Sequence, residues 1–299
     1  MFALVRDLAN RAPVTQVAVS DWLVQRHNLG PLTALAGVTR MKPELARATL
    51  AWRRISDGLP PIIERWTGAG IRVAPIKGVA YAAGMYDRPA ERPMTDIDLL
   101  VDRSSYSTAG RLLTEAGFSR IAGSPLHHAS AWVRGDMVID LHRGIVGRGR
   151  SRIDLDAVWR RTSPGWPSGA LRLDPVDELV FHLLHMARNR LCGPLIQVVD
   201  VARLIERLPR RDPENALRLA RTWRVGPAAE AALRFSCNVL DARGDLRLGI
   251  VGPTEENVLA AGQPSILRKL VFDVSTAGSV SQLATRVIAY GASRLSRRA

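Results

Sequence analysis

Apolar and polar positions alternate in different ways along this chain, and each pattern predicts a different kind of element. Over residues 1–67 the period is helical. In PELARATLAWRRIS (43–56) a proline opens the run, and Leu45, Ala48, Leu50, Ala51 and Ile55 recur at helical spacing. Pro60 and Pro61 break that pattern, and IIERWTGAG reads as a helix stopped by Gly68 and Gly70. From residue 71 the character changes. IRVAPI (71–76) is short, rich in β-branched residues and bounded by glycine, the signature of a buried strand. GVAYAAGMYD (78–87) reads as a short helix ended by Arg88-Pro89. TDIDLLVD (95–102) is the clearest strand: Asp96, Asp98 and Leu100 face one way, and Ile97, Leu99 and Val101 the other. SSYSTAGRLLTEAGF (104–118) follows as a helix, with Ser104 or Ser105 as N-cap and Gly117 as C-cap. HHASAWVRGDMVIDLHRG (127–144) reads as a hairpin turning at Gly135-Asp136. Its second arm puts Met137, Ile139 and Leu141 on one face and Val138, Asp140 and His142 on the other.

Beyond residue 150 the strand signals fade. VDELVFHLLHMARNRL (176–191) and PLIQVVDVARLIERL (194–208) are strongly amphipathic, and PENALRLARTWRV and PAAEAALRFSCNVLDA continue the helical period. The tail, 265–298, holds two basic amphipathic stretches separated by Gly278-Ser279. The expected architecture is α+β. A small mixed β-sheet core occupies 68–150, after a helical N-terminal segment (1–67). A helical lobe (151–262) and basic amphipathic C-terminal helices (263–299) follow.

Composition narrows the class. The chain has 299 residues, 46% of them hydrophobic, which suits a globular protein and not a disordered one. Two cysteines, Cys192 and Cys237, exclude a disulfide scaffold or a four-cysteine zinc site and fit a reducing cytoplasm. Both lie on apolar helices, so both are expected to be buried. Arg6 and Asp7 interrupt the first apolar run, so no secretory core is expected, and no stretch is apolar enough for a membrane span. The net charge of +14 invites a nucleic-acid reading, yet only three of the 42 basic residues are lysines: Lys42, Lys77 and Lys269. The arginines are spread over every segment and aromatics make up only 5%, so the excess reads as compositional background and a nucleic-acid partner is not expected.

The chemistry concentrates in one stretch. Asp96 and Asp98 stand i and i+2 on one strand face, about 6.6 Å apart along the chain. Two ionised carboxylates held so close repel unless a cation joins them, and oxygen ligands suit a hard divalent ion such as Mg²⁺. A strand with one solvated polar face would explain the pair as well. Asp140 occupies another apolar strand, where an unpaired acid is costly. It either completes a carboxylate triad or pairs with Arg143 or Arg134. Lys77-Gly78 marks a strand-to-helix junction, where glycine lets a phosphate approach backbone N–H groups and lysine adds charge. The alternative is a plain tight turn. Arg92 is a further candidate phosphate ligand, or one solvated arginine among many. His142 shares a face with Asp140, and it either contacts substrate or orients the aspartate. His182 and His185, i and i+3 on a helix, are expected to be packing residues. His127 and His128 point opposite ways on a strand and cannot ligate together.

In order, a strand, Lys-Gly, a helix, an Asp-x-Asp strand and a later acid resemble the nucleotidyltransferase superfamily that includes DNA polymerase beta. More closely, IKGVAYAAGMYDRPAERPMTDIDLLVD resembles the bacterial uncharacterised nucleotidyltransferases, over about residues 60 to 240 and most specifically over 76–101. The resemblance implies a nucleotidyltransferase core, and transfer of a nucleoside monophosphate from a nucleoside triphosphate such as ATP to a hydroxyl or amine of a small molecule, peptide or protein, releasing pyrophosphate. It implies Mg²⁺ (two ions, with Mn²⁺ as the alternative) on Asp96, Asp98 and Asp140, with Asp140 also matching the general base. Lys77, Gly78 and Arg92 would be the nucleotide-binding residues. Lys77-Gly78-Val79 departs from the superfamily's usual Gly-Gly or Gly-Ser turn. Two other functions compete: a nucleic-acid-modifying member of the superfamily, and a non-catalytic partner that keeps the fold. The tail VSQLATRVIAYGASRLSRR either packs as a terminal helix or makes weak contact with an anionic membrane surface.

Overall fold

A computed structural model describes residues 1–14, 19–123, 128–145 and 152–241, with Val258, Phe272, Asp273 and Thr276 beyond them. The fold is α+β, as expected. Five helices come first: α1 (Phe2–Ala9), α2 (Asp21–Arg26), α3 (Gly30–Leu35), α4 (Lys42–Gly58) and α5 (Pro60–Gly68). The two prolines that interrupt the sequence pattern open α5, where a missing N–H and a fixed φ are tolerated. The middle of the chain supplies β1 (Val73–Ile76), α6 (Lys77–Gly84), β2 (Ile97–Val101), α7 (Tyr106–Glu115), β3 (Ser119–Gly123), β4 (Ala129–Arg134) and β5 (Met137–His142). After α8 (Leu155–Arg160) and a two-residue ladder of β6 (Ser163–Pro164) with β7 (Leu171–Arg172) come α9 (Pro175–Arg188), α10 (Ile196–Glu206), α11 (Glu214–Thr222) and α12 (Gly226–Asp241).

The five-stranded sheet has the order β1-β2-β5-β4-β3. All its neighbours are antiparallel except β2 and β5, which run parallel. The hairpin forms between β4 and β5, with Gly135 at φ +56 in the turn; His127, at the start of its expected span, lies outside the described residues. Helix α7 ends as its sequence predicts. Gly117 takes φ +84, and the amides of Gly117 and Phe118 donate to Thr114 O and Leu113 O, each at 2.9 Å.

The alternation in β2 sorts its residues between two cores. Ile97, Leu99 and Val101 pack with Ile63 and Trp66 of α5 and Leu113 of α7. Leu100 joins Ala74 and Ile76 of β1, Tyr81 of α6 and Leu179, Val180 and Leu183 of α9 in the other. The acid-bearing face of the sheet therefore looks toward the helical lobe. Helix α1 does not stay with the helices that follow it; it packs against α10 and α12. The C-terminal membrane-contact expectation falls on residues outside those described. Among the described residues no helix is long and apolar enough to cross a membrane. Cys192 is buried, whereas Cys237, expected to be buried, is exposed on α12.

Candidate active site

The parallel pairing of β2 with β5 decides the site. Its register sets Asp98 opposite Asp140, with Ile97 opposite Ile139 and Leu99 opposite Leu141. Partners in a parallel ladder lie about 4.8 Å apart and point to the same face, so two acids distant in sequence become neighbours. On the other side of β2, Ile76 pairs with Asp98, which puts the next residue, Lys77, beside the same carboxylate.

Asp98 is the centre of this arrangement and is only 5% exposed. Lys77 Nζ donates to its Oδ1 at 2.5 Å, and His142 Nε2 meets the same oxygen at 2.7 Å. Burial opposes ionisation here, but the His142 hydrogen bond and the Lys77 charge prevail and hold the Asp98 carboxyl well below the usual carboxylate range. Asp140 and Asp96 move the other way: burial raises both, and the charge of Asp98 adds to the rise. The sign for stability follows. A carboxyl depressed in the folded state contributes fully above the unfolded value near 3.9, and that contribution is lost as pH falls below it. The stability gap between wild type and Asp98→Asn, measured by urea unfolding, should be constant above about pH 5 and close as pH drops below about 4.

Three residues bring potential ligand atoms within 4.8 Å of one another: Asp98, Asp140 and His142. Asp96 is not in this group. Strand β2 begins only at Ile97, and Asp96 lines a separate recess under α4 with Ile55 and Met94. Asp140 forms no ion pair among the described residues; Arg134 instead donates to Ala116 O at 2.8 Å and lies over the Phe118 ring. His142 is buried, with Nδ1 lacking a partner among the described residues, and its Nε2 fixes Asp98.

The Lys-Gly junction joins β1 to α6, as expected. The positive φ falls on Lys77 (+55), not on Gly78, and a Cβ at Gly78 would come no closer than 3.4 Å to Met94. A left-handed lysine costs about 1–3 kcal/mol, a cost that surrounding structure has to hold. Here it aims the side chain at Asp98.

Arg92, the further nucleotide-binding candidate, is held inside the protein. Its Nε and Nη2 donate to the Asp200 carboxylate at 2.8–3.0 Å and its Nη1 to Pro93 O at 2.7 Å. Tyr86 donates to the same Asp200 at 2.7 Å. Asp200 is wholly buried on α10. A guanidinium engaged in this way ties the segment leading into β2 to the helical lobe.

A recess opens between this cluster and α9. Lys77 and His142 line it from the sheet side, and Glu178, Phe181, His185 and Arg188 from α9. Those four recur at helical spacing, a signal present in the sequence. Burial pushes Glu178 up to about 7 despite the Arg207 guanidinium at 2.8 Å, and pushes His185 down to about 3, so that imidazole is neutral at physiological pH. His182 instead meets Gln197 O at 2.8 Å and the edge of Tyr81, a packing role as expected.

Two comparisons with known proteins complete the picture. Residues 7–241 match the model of a family described as uncharacterised nucleotidyltransferase. No curated protein matches the chain.

Proposed function

The chain thus belongs to the uncharacterised nucleotidyltransferase family, and from that premise we propose that it transfers a nucleoside monophosphate from a nucleoside triphosphate to a hydroxyl or amine of a small molecule, peptide or protein. The observation that carries this reading is the side-by-side pairing of Asp98 and Asp140, with Asp98 held by Lys77 and His142, two residues that line the recess facing α9. The donor set fits a hard divalent cation, Mg²⁺ or Mn²⁺: the carboxylates of Asp98 and Asp140 from adjacent strands, with ligand atoms within 4.8 Å of each other. Asp96, two residues before Asp98, is proposed as a further acid that joins only when the cation and nucleotide are bound. Held by Asp98 and Asp140, such an ion would neutralise phosphate charge and polarise the α-phosphate.

The chain's own residues supply the rest. Asp140, raised by burial and by Asp98, accepts the proton of the attacking hydroxyl or amine. The acceptor atom bonds to the α-phosphorus, the bond from that phosphorus to the bridging oxygen breaks, and pyrophosphate leaves. Lys77 carries positive charge to the phosphates, and His142 keeps the Asp98 carboxylate oriented. Phe181 and Leu184 of α9 limit water on the lobe side of the recess. Many exposed arginines are already paired with acids, as Arg65 is with Glu115 and Arg72 with Asp102, which removes them from a basic track for nucleic acid.

The test is calorimetric titration of the full chain with non-hydrolysable nucleoside triphosphates, with and without Mg²⁺, alongside pyrophosphate release in the presence of candidate acceptors. Mg²⁺-dependent nucleotide binding is the expected result, with affinity lowered in Asp96→Asn. No nucleotide binding under any cation would overturn the reading.

A further inference from the structure

Four buried acids among the described residues hold a base: Asp177, Glu178 and Asp200 each take an arginine, and Asp98 takes a lysine. Asp200 takes Arg92, whose planar fork makes three contacts with the carboxylate. Asp98 takes Lys77, which makes one, at 2.5 Å. The difference is meaningful in a chain where only three of 42 basic residues are lysines. An arginine fork locks a carboxylate; an ammonium on a four-carbon stem is a point charge that can leave.

We propose that the Lys77 ammonium is an exchangeable counter-ion, which gives up Asp98 to a divalent cation and turns into the adjoining recess, where it meets the donor's phosphates. This rests on the metal-dependent reading above and adds an order of events to it. A cation shared by Asp98 and Asp140 would sit about 2.0–2.6 Å from a carboxylate whose Oδ1 Nζ already meets at 2.5 Å. A divalent ion and an ammonium that close repel each other, which favours departure of the lysine. Lys77 has somewhere to go: its side chain is 22% exposed and already lines the recess facing α9. His142 remains on Oδ1 from the other side, so Asp98 keeps its orientation while its cationic partner changes. Cation loading and readiness for the phosphates become one event: the ion frees the lysine that the triphosphate needs.

The experiment uses the full chain and Mg²⁺ alone, with no nucleotide to shield the lysine. Surface amines are acylated with a water-soluble succinimidyl acetate, and each lysine is read by peptide mass spectrometry. Exposed Lys42 is the internal reference. Saturating Mg²⁺ should raise Lys77 acylation roughly tenfold, the factor for releasing one hydrogen bond to a charged group, and leave Lys42 unchanged. Cation binding is measured separately by calorimetry. Binding with flat Lys77 reactivity overturns the exchange and leaves the metal site standing. No binding, with or without a triphosphate analogue, overturns both. Lys77→Arg is the second arm. It keeps the charge but adds a fork, so cation affinity should fall roughly tenfold for one added charge-assisted contact, and unchanged affinity counts against the exchange.

Discussion

Asp98→Asn should lower nucleotidyl transfer by about a thousandfold or more and remove Mg²⁺ binding, while leaving the fold in place. Losing the charge of a metal-holding carboxylate forfeits several kcal/mol of transition-state stabilisation, and each 1.36 kcal/mol is tenfold in rate. Asparagine keeps the size of the side chain and an oxygen for His142, so packing around β2 is preserved. The Lys77 ammonium loses its partner but retains access to water through the recess. Single-turnover assays with labelled triphosphate, together with circular dichroism, separate the two effects. Asp136→Asn is the control, since that exposed acid at the hairpin tip pairs with Arg54 of α4 and lies outside the Asp98–Asp140–His142 group. Transfer in Asp98→Asn within tenfold of wild type would sink the role assigned to this residue.

The second large effect falls on stability. Asp200→Ala should destabilise the chain by about 3–5 kcal/mol, because it leaves the Arg92 guanidinium buried without its charge partner. Domains are commonly stable by about 5–15 kcal/mol, so one substitution consumes a large share. Urea unfolding of the single variants against Arg92→Met/Asp200→Leu tests the cause. The double variant should recover much of the loss, since an apolar pair removes both buried charges. Equal or greater damage in the double variant would mean that the pair is not the source. The consequence reaches the site, because Arg92 anchors the segment that feeds Asp96 and Asp98 into place.

Much of this was readable from residue order. Acids alternating with Ile97, Leu99 and Val101 can only be a strand with a polar stripe, and MVIDLH repeats that device at Asp140. What could not be read is pairing across distance. Nothing local says that β5 lies parallel to β2 in the register that matches Asp98 with Asp140, because a shift of one residue would send Asp140 to the opposite face. The Arg92–Asp200 tie joins residues 108 apart. A lone arginine near two acids suggests a phosphate ligand until a buried aspartate on a distant helix appears. The place of Asp96 was not legible for a related reason: period two extends a strand on paper beyond where its hydrogen-bonded ladder starts, at Ile97. Lys77 lies at the turn that the strand-to-helix junction predicts, but its left-handed backbone has no local signal, because glycine and not lysine tolerates such geometry best.

The packing of α1 on α10 and α12 has a consequence during synthesis. Leu4, Val5 and Leu8 leave the ribosome some 190 to 230 residues before the surfaces that bury them. At about 5–20 residues per second, this amphipathic segment waits on the order of 10 to 50 s without its partners. For that interval it is an unsatisfied apolar helix, open to chaperones and to neighbouring nascent chains. The sheet, drawn from a contiguous stretch, can close well before. The helical lobe therefore closes around a helix made long before it, and removal of α1 or of α12 exposes an apolar surface on the other.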